Sequence, residues 1–254
     1  MPKVVADKPD RKPKHRQTLI NIDVDPNEKL EDKPPDLYHP PASERPKFMS
    51  DVKTMLAQYR ESLFPERRVL LDRFRFADAA YKVVGVGSVG TLCGVALMVS
   101  GNGERLRLQF KEANASVLES FGQSSPYANH GERVVRGQRL LQAATDILLG
   151  FGVGPRGKDF YVRQLRNAKI KPVLDDLSAN NFRRYASTCG QVLARAHARS
   201  ADAVVLGAYL GSSEEFDAAI GDFALAYGKQ TESDHAALLG AIKTGRIPVE
   251  PQDS

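Results

Sequence analysis

Hydrophobic and polar positions alternate most regularly in the segment that ends at Lys111. Leu106, Leu108 and Phe110 point to one side, and the polar residues between them, with Lys111 last, point to the other. This period of two is typical of a strand with one buried face. The preceding "TLCGVALMV" is compatible with a strand, and "SGNGE" between them holds the Asn-Gly pair that favours a tight hairpin turn. The pattern therefore predicts an antiparallel hairpin with Lys111 on the face opposite its apolar side.

Apolar residues at helical spacing predict helices before and after this hairpin. The first begins at Ser50, an N-cap, and continues through Val52, Met55, Leu56, Tyr59 and Leu63. Further helices are predicted over residues 66–80, 129–149, from the cap Ser178 onward, from a capping box at Ser212 to Glu215, and over 232–242. Strands are predicted at "DFYVRQL", residues 159–165, and within "QTLINIDV". The sum is an α+β fold, in which a small antiparallel sheet is followed by a helical C-terminal part.

Composition divides the chain near its first helix. Residues 1–47 are rich in proline, lysine and aspartate, a composition that buries too little apolar surface to offset the entropy of ordering. We expect this segment to be a linker or arm, largely disordered. Residues 48–254 form the folded domain, with helices and the glycine-containing sheet in 48–170 and a helical part in 171–254.

The bulk properties are those of an ordinary soluble protein, with 254 residues, 42% of them hydrophobic and 26% charged. No apolar run is long enough to cross a bilayer, no secretory signal is visible, and the two cysteines lie far apart. We expect a cytoplasmic protein without a membrane segment. The net charge of +5 is spread along the chain, which argues against a nucleic-acid partner and suits a phosphorylated small molecule.

Candidate chemistry centres on the spacing Gly85-x-Gly87-x-x-Gly90. In a dinucleotide-binding protein, "SVGTLCGVALMVSG" would be a helix facing a pyrophosphate, and Glu112 would hold a ribose hydroxyl. In a kinase, two antiparallel strands flank the glycine loop, and a lysine on the next strand pairs with the phosphates. The Asn-Gly turn and the single clear later strand favour the kinase interpretation. A surface hairpin that binds no ligand is the third alternative.

Several longer motifs carry a resemblance: "KVVGVGSVGT", "NHGERVVRGQRLLQAATDILLG", "DFYVRQLRNAK", "GQVLARAHARSAD" and "FDAAIGDFALAYGKQTESDHAAL". Together they resemble the bacterial domain of unknown function 2252 family from about Ser50 to Leu239, and members of this family resemble protein kinases and aminoglycoside phosphotransferases. The resemblance implies a site for ATP with Mg²⁺. Its phosphate loop would contain Gly85, Gly87, Ser88 and Gly90, Lys111 would pair with the phosphates, and Glu132, or else Glu119, would hold that lysine.

The chain departs from the family pattern in its catalytic segments. Family members carry a glycine-aspartate-x-histidine-x-x-asparagine segment and an aspartate-phenylalanine-aspartate segment before the glycine loop, and neither precedes Gly85 here. His197, Asp202 and Asp222 lie downstream, but no asparagine follows either aspartate at a spacing that would complete a magnesium site. The resemblance thus implies the C-terminal portion of a kinase-like phosphotransferase, inactive as this chain alone.

Two other interpretations stay open: a dinucleotide-binding oxidoreductase, and a binding or scaffold module that a partner chain completes. Helices that lack their packing partner would leave an apolar surface exposed, so we expect a partner chain or self-association. Arg163 and Arg166, on and just after a predicted strand, are further candidates for phosphate contacts.

Overall fold

The structure is a computed structural model that describes residues 15–19, 28–85, 90–165 and 168–248. Within these residues it has the predicted α+β fold, with a six-stranded antiparallel sheet, a separate pair of strands and six α-helices. The strands are β1 (His15–Leu19), β2 (Leu37–Tyr38), β3 (Phe74–Lys82), β4 (Cys93–Ser100), β5 (Arg105–Glu112), β6 (Gly150–Val153), β7 (Asp159–Gln164) and β8 (Ala168–Pro172). The helices are α1 (Arg45–Glu61), α2 (Pro65–Leu71), α3 (His130–Leu141), α4 (Ala179–Ser200), α5 (Ala203–Leu210) and α6 (Glu215–Lys243).

The strands of the large sheet lie in the order β2-β3-β4-β5-β7-β6, and β1 pairs with β8. At its centre, β3, β4 and β5 form a meander of antiparallel neighbours. The predicted hairpin between β4 and β5 is confirmed. Its turn is closed by hydrogen bonds from the Ser100 amide to Glu104 O and from the Gly103 amide to Ser100 O, at 2.9 and 3.0 Å. Gly103 has φ +83°, which explains the glycine after Asn102.

The strand β4 decides between two of the sequence interpretations. All eight of its residues are buried, because it pairs with a strand on each side and is covered on both faces. A dinucleotide-binding domain requires a helix directly after the glycine motif. The dinucleotide interpretation is therefore wrong for this segment.

One face of the sheet packs on α1 and forms the larger core. The alternation in β5 is confirmed, since Leu106, Leu108 and Phe110 are all buried in this core. Tyr59 of α1 is fully buried, and its hydroxyl donates to Leu148 O at 2.6 Å. The remaining buried members of this core include Phe48, Val52, Met55, Leu56, Leu63, Phe160 and Val162.

The other face of the sheet is covered in part by the segment before α1. Leu30 and Leu37 are each 3% exposed and pack with Val95, Leu97 and Leu165. Residues 28–44 thus contribute to the core, although they belong to the segment that the composition predicts to be largely disordered. The predicted division of the chain at residue 47 stays a prediction.

A charged clamp joins this segment to β3. The two ring nitrogens of His39 lie 2.6 Å from Asp32 Oδ1 and 3.0 Å from Asp78 Oδ2. Only the protonated imidazolium donates from both nitrogens, so the geometry calls for His39 in its charged form. Asp78 also accepts hydrogen bonds from the amides of Leu30, at 2.7 Å, and Ala79, at 2.9 Å.

The pKa shifts of the clamp follow from this geometry. The hydrogen bond to Asp78 raises the pKa of His39 above 6.5, although burial opposes it. Burial alone would raise the pKa of Asp78, but hydrogen bonds from His39 and from the Leu30 amide hold it below 3.8. Each shift favours the charged form, and the paired charges fasten residues 30–39 to the sheet.

Three of the predicted helices have different bounds. The helix α1 begins at Arg45, before Ser50, with Pro46 in its first turn, a favourable position for proline. The helix predicted over 66–80 ends at Leu71, and its second half is β3, because tertiary pairing with β4 outweighs local propensity. The helix predicted over 129–149 ends at Leu141.

The C-terminal part is helical, as predicted, with one correction. Ser178 caps α4, since its Oγ accepts from the Asn181 amide at 3.3 Å. The two helices predicted after residue 212 are the single helix α6, whose N-cap is Glu214 without a side-chain hydrogen bond, so the Ser212 capping box is wrong. None of the helices in the described residues has the length and apolar character to span a bilayer.

The chain divides into two compact units, residues 1–200 and residues 201–254. In the first unit, α4 carries exposed apolar side chains, with Phe182 at 49% and Val192 at 60%. In the second unit, α6 carries exposed apolar residues at helical spacing, namely Phe216, Ile220, Phe223 and Tyr227.

The first prediction concerns the His39 clamp. Replacing His39 by asparagine is expected to lower the free energy of unfolding by about 2 kcal/mol at about pH 6, because two charge-assisted hydrogen bonds are lost. Since the pKa of His39 is raised in the folded chain, its contribution is complete below 6.5 and disappears as the pH rises through the folded value. The Asp78 contribution is complete above 3.8 and disappears as the pH falls through its lowered folded value.

Urea unfolding of the wild type and of His39→Asn across mildly acidic to basic pH measures this dependence. The stability difference should be largest on the mildly acidic side and should shrink as the pH rises. A difference that stays constant over the whole range would contradict the charged clamp.

The second prediction concerns the close approach of α3 to β7. A Cβ placed on Gly131 would lie 2.2 Å from Phe160 O, and the backbone oxygen cannot move aside without disturbing the sheet. Gly131→Ala is expected to destabilise the fold by about 2 kcal/mol. Gly137 in the same helix has open space at its Cβ, so Gly137→Ala should be neutral or stabilising by up to about 1 kcal/mol. Equal unfolding midpoints for the two variants in urea would show that this contact does not position α3.

Candidate functional site

The glycine segment joins two neighbouring strands of the sheet. It leaves β3 after Lys82 and enters β4 at Cys93. Gly87 and Ser88 lie outside the described residues. Gly85 and Gly90 have φ +117° and +80°, in the left-handed region, and a Cβ at either would meet no atom within 4 Å. The backbone conformation, and not side-chain crowding, therefore explains glycine at these two positions.

The register of the sheet brings Lys111 to the end of this segment. Lys111 is the cross-strand partner of Cys93 on one side and of Tyr161 on the other. Since directly opposed residues project to the same face, the three side chains form a row across β4, β5 and β7. Only Thr91 and Leu92 separate Gly90 from this row. The predicted position of Lys111, opposite the apolar side of β5, is confirmed.

A second row lies next to the first and is linked by hydrogen bonds. Arg163 donates through Nε and Nη2 to Gln109 Oε1, at 3.4 and 3.3 Å, and Gln109 Nε2 donates to Cys93 Sγ at 3.7 Å. Gln109 is only 3% exposed, so these contacts hold it in place. In the described part of the chain, the Lys111 ammonium has neither a hydrogen bond nor an ion pair.

The pKa of the Cys93 thiol reflects the charges on this face of the sheet. Burial raises its pKa, while the positive charges of Lys111, Lys82 and Arg163 act in the opposite direction. Burial prevails, so the thiol stays protonated at neutral pH and is a poor nucleophile. Three cations nevertheless act together on one point of the sheet, which makes this end of the sheet attractive to an anion.

The two glutamates proposed as partners of Lys111 contact arginines. Glu132 accepts from Arg136, one turn further along α3, at 3.1 and 3.2 Å. Glu119 lies 4.0 Å from Arg133 and accepts from the Ser116 amide at 3.1 Å, in the capping box of a short 3-10 turn. Neither is paired with Lys111 in this structure, and the role of Glu132 stays a prediction.

The start of α3 is fixed to β7 by Asp159, a contact that local patterns did not indicate. Asp159 accepts hydrogen bonds from Asn129 Nδ2 and from the His130 amide, each at 2.7 Å. Asn129 in turn caps the helix by accepting from the Glu132 amide at 2.9 Å. The capping preference of asparagine was a readable signal for the helix start. There was no such signal for Asp159, because it lies 30 residues after Asn129 and no local spacing connects the two.

A cleft of about 400 Å³ lies where the described parts of the glycine segment meet the sheet. The rings of Tyr38 and Tyr81, with centroids 5.7 Å apart, form part of its wall. Lys82 and Cys93 line it together with the residues Val83, Gly85, Gly90, Thr91 and Leu92. Tyr38 comes from the segment before α1, which the sequence did not associate with a site.

Glu112, the ribose-binding candidate of the dinucleotide interpretation, has a structural role. Its carboxylate pairs with Lys158 Nζ at 2.8 and 3.0 Å and accepts from the Leu92 amide at 2.9 Å. Burial would raise its pKa, but the hydrogen bond from Lys158 lowers it overall. The carboxylate therefore stays charged and fixes the chain as it enters β4.

The downstream catalytic candidates lie on exposed helices. Asp202 caps α5 by accepting from the amides of Val204 and Val205 at 2.8 and 3.1 Å. His197 in α4 and Asp222 in α6 are exposed, and Arg166 lies outside the described residues. Among the described residues, no group of three or more histidine, cysteine, aspartate or glutamate side chains could hold a metal ion.

Comparison with known proteins gives one match. The profile of DUF2252, described as an uncharacterized protein conserved in bacteria, matches residues 3–241 of the chain. No curated protein and no solved structure matches it.

Proposed function

The chain belongs to the DUF2252 family, and we propose that it binds the phosphate groups of a nucleotide such as ATP, with Mg²⁺, in the manner of a kinase phosphate loop. The observation that carries this proposal is the register that sets Lys111 opposite Cys93, directly after the glycine segment. A lysine one strand beyond a glycine loop between antiparallel strands is the arrangement in which kinases hold phosphates.

The charges of this face suit a polyphosphate. Burial raises the pKa of the Cys93 thiol, and the positive charges of Lys111, Lys82 and Arg163 act to lower it. Lys111 forms no ion pair with a described residue, so a ligand would not have to displace one. The positive φ values of Gly85 and Gly90 support a backbone that approaches a ligand closely. The magnesium ion would arrive bound to the phosphates and would neutralise part of their charge.

The order of elements along the chain supports the kinase-like interpretation. The glycine segment, the Lys111 strand, a helix with Glu132 in its first turn and the β7 strand follow one another, as the family resemblance implies. Glu132 would have to exchange Arg136 for Lys111 to hold the lysine. In kinases this pairing accompanies activation, so the arginine contact corresponds to a state in which the site is not assembled.

We propose binding without phosphoryl transfer by this chain alone. Transfer needs a residue that orients the nucleophile and ligands for the metal. Asp202 serves as a helix cap, and Asp222 lies on an exposed helix in the second unit. The chain would therefore hold the nucleotide in the manner of a kinase-like protein acting in the cytoplasm, without transferring its phosphoryl group.

The alternative of a module completed by a partner is supported by exposed apolar residues. On α6, Phe223 and Tyr227 are each 61% exposed and stack with centroids 5.5 Å apart. On α4, Phe182 and Val192 are about half exposed or more. Such residues favour association with a partner chain or with a second copy.

The test is a calorimetric titration of the purified chain with magnesium-ATP. We expect saturable binding that Lys111→Ala weakens about tenfold or more, because a charge-assisted contact to phosphate is lost. Lys53→Ala is the matched control, since Lys53 is an exposed lysine on α1, and it should bind as the wild type does. Equal affinities for all three proteins, or binding of NADH without ATP, would contradict the proposal.

A further inference from the structure

A second cleft lies on the sheet face opposite Lys111, between α1 and the turn at residues 154–157. Its volume is about 470 Å³, within the range of about 300–1,000 Å³ that is usual for small-molecule sites. Phe110 and Phe160, which belong to the core on the α1 side, form part of its wall. Tyr81 and Leu92 line both this cleft and the one at the glycine segment.

The floor of the second cleft is apolar and well fixed. Phe48, Val52 and Met55 contribute from α1, and Phe110 and Phe160 contribute from the sheet. None of these five side chains is more than 8% exposed. The two phenylalanine rings of the sheet meet edge to face, with centroids 6.1 Å apart. Such a floor suits a ligand with one or two flat aromatic rings.

Four charged side chains line the rim of the cleft, and two of them pair with each other. Lys47 Nζ lies 2.9 Å from Asp51 Oδ2, so these two cancel. Glu44 is the N-cap residue of α1, where the helix dipole favours a negative charge. Arg156 also lines the cleft, and within the described residues its guanidinium has no hydrogen bond and no ion pair. The cleft thus offers an apolar floor and, at Arg156, a positive charge that no described side chain pairs with.

The backbone conformation of Arg156 also indicates a functional role for its side chain. Its φ of +59° lies in the left-handed region, in a turn whose next residue, Gly157, also has a positive φ. Asparagine and glycine adopt this conformation more easily than arginine does. A side chain held at a position that disfavours it is a sign of a role beyond folding.

We propose that this cleft binds a small apolar molecule, the size of one or two aromatic rings, that carries one carboxylate or similar anionic group. The rings lie on the phenylalanine and methionine floor, and the anion pairs with Arg156. The site lies on the sheet face opposite Lys111 and shares Tyr81 and Leu92 with the cleft at the glycine segment.

The methyl resonances of the methionines can show where a ligand binds. The chain has four, at positions 1, 49, 55 and 98, and of the three that the structure describes only Met55 lines the cleft. With methyl-labelled methionine, a naphthalene carboxylate should shift the Met55 methyl resonance saturably through its ring current and leave those of Met49 and Met98 in place. Naphthylmethylamine, which has the same rings and the opposite charge, should bind about tenfold more weakly or worse.

Arg156→Asn tests the anion contact, because asparagine tolerates the left-handed backbone and removes the charge. This variant should lose about tenfold in affinity for the carboxylate. Arg73→Asn, at an exposed arginine outside the cleft, should bind as the wild type does. No shift of Met55, equal shifts of all four methyls, tighter binding of the amine, or unchanged affinity in Arg156→Asn would each overturn the proposal. The comparison of the two ligands uses the wild-type protein, so it does not depend on the folding of a variant.

Discussion

The antiparallel pairing of β4 with β5 is the constraint on which the arrangement of the site depends. The turn at Asn102 and Gly103 sets the register in which Cys93 faces Lys111. A shift of the register by one residue would turn every side chain of β5 to the opposite face. Leu106, Leu108 and Phe110 would then leave the core, and Lys111 would enter it. The burial of three apolar side chains and the position of one lysine are thus two consequences of the same hydrogen-bonded ladder.

The two faces of the sheet are completed by different means. The α1 side is closed by apolar packing around Tyr59, with a cleft between the N-terminal half of α1 and the Arg156 turn. The other side is closed in part by residues 28–40, which the charges of His39 and Asp78 hold in place. That cover includes Leu30 and Leu37. One cleft therefore lies on the α1 side and another at the glycine segment, and Tyr81 and Leu92 line both.

Local patterns were sufficient where the structure is local. The alternation of β5, the Asn-Gly turn and the caps at Asn129 and Ser178 could all be read from neighbouring residues. Features that depend on distant residues could not be read in this way. The second half of the helix predicted over 66–80 is a strand because β4 pairs with it. Asp78 is hydrogen-bonded to His39, which lies 39 positions earlier in the chain. The same limit applies to the site. Lys111 and Arg163 were both candidates from the sequence, but only the sheet register shows that Gln109 links Arg163 to Cys93 beside Lys111.

The most direct test of the central claim is labelling with fluorosulfonylbenzoyl adenosine, which places a lysine-reactive sulfonyl fluoride where a nucleotide carries its phosphates. If the sheet register forms a nucleotide-phosphate site, mass spectrometry of the digested protein should find the label on Lys111, and magnesium-ATP should protect it. The label would then be far less abundant on exposed lysines such as Lys53. Equal labelling of Lys111 and Lys53, with no protection by ATP, would contradict the account.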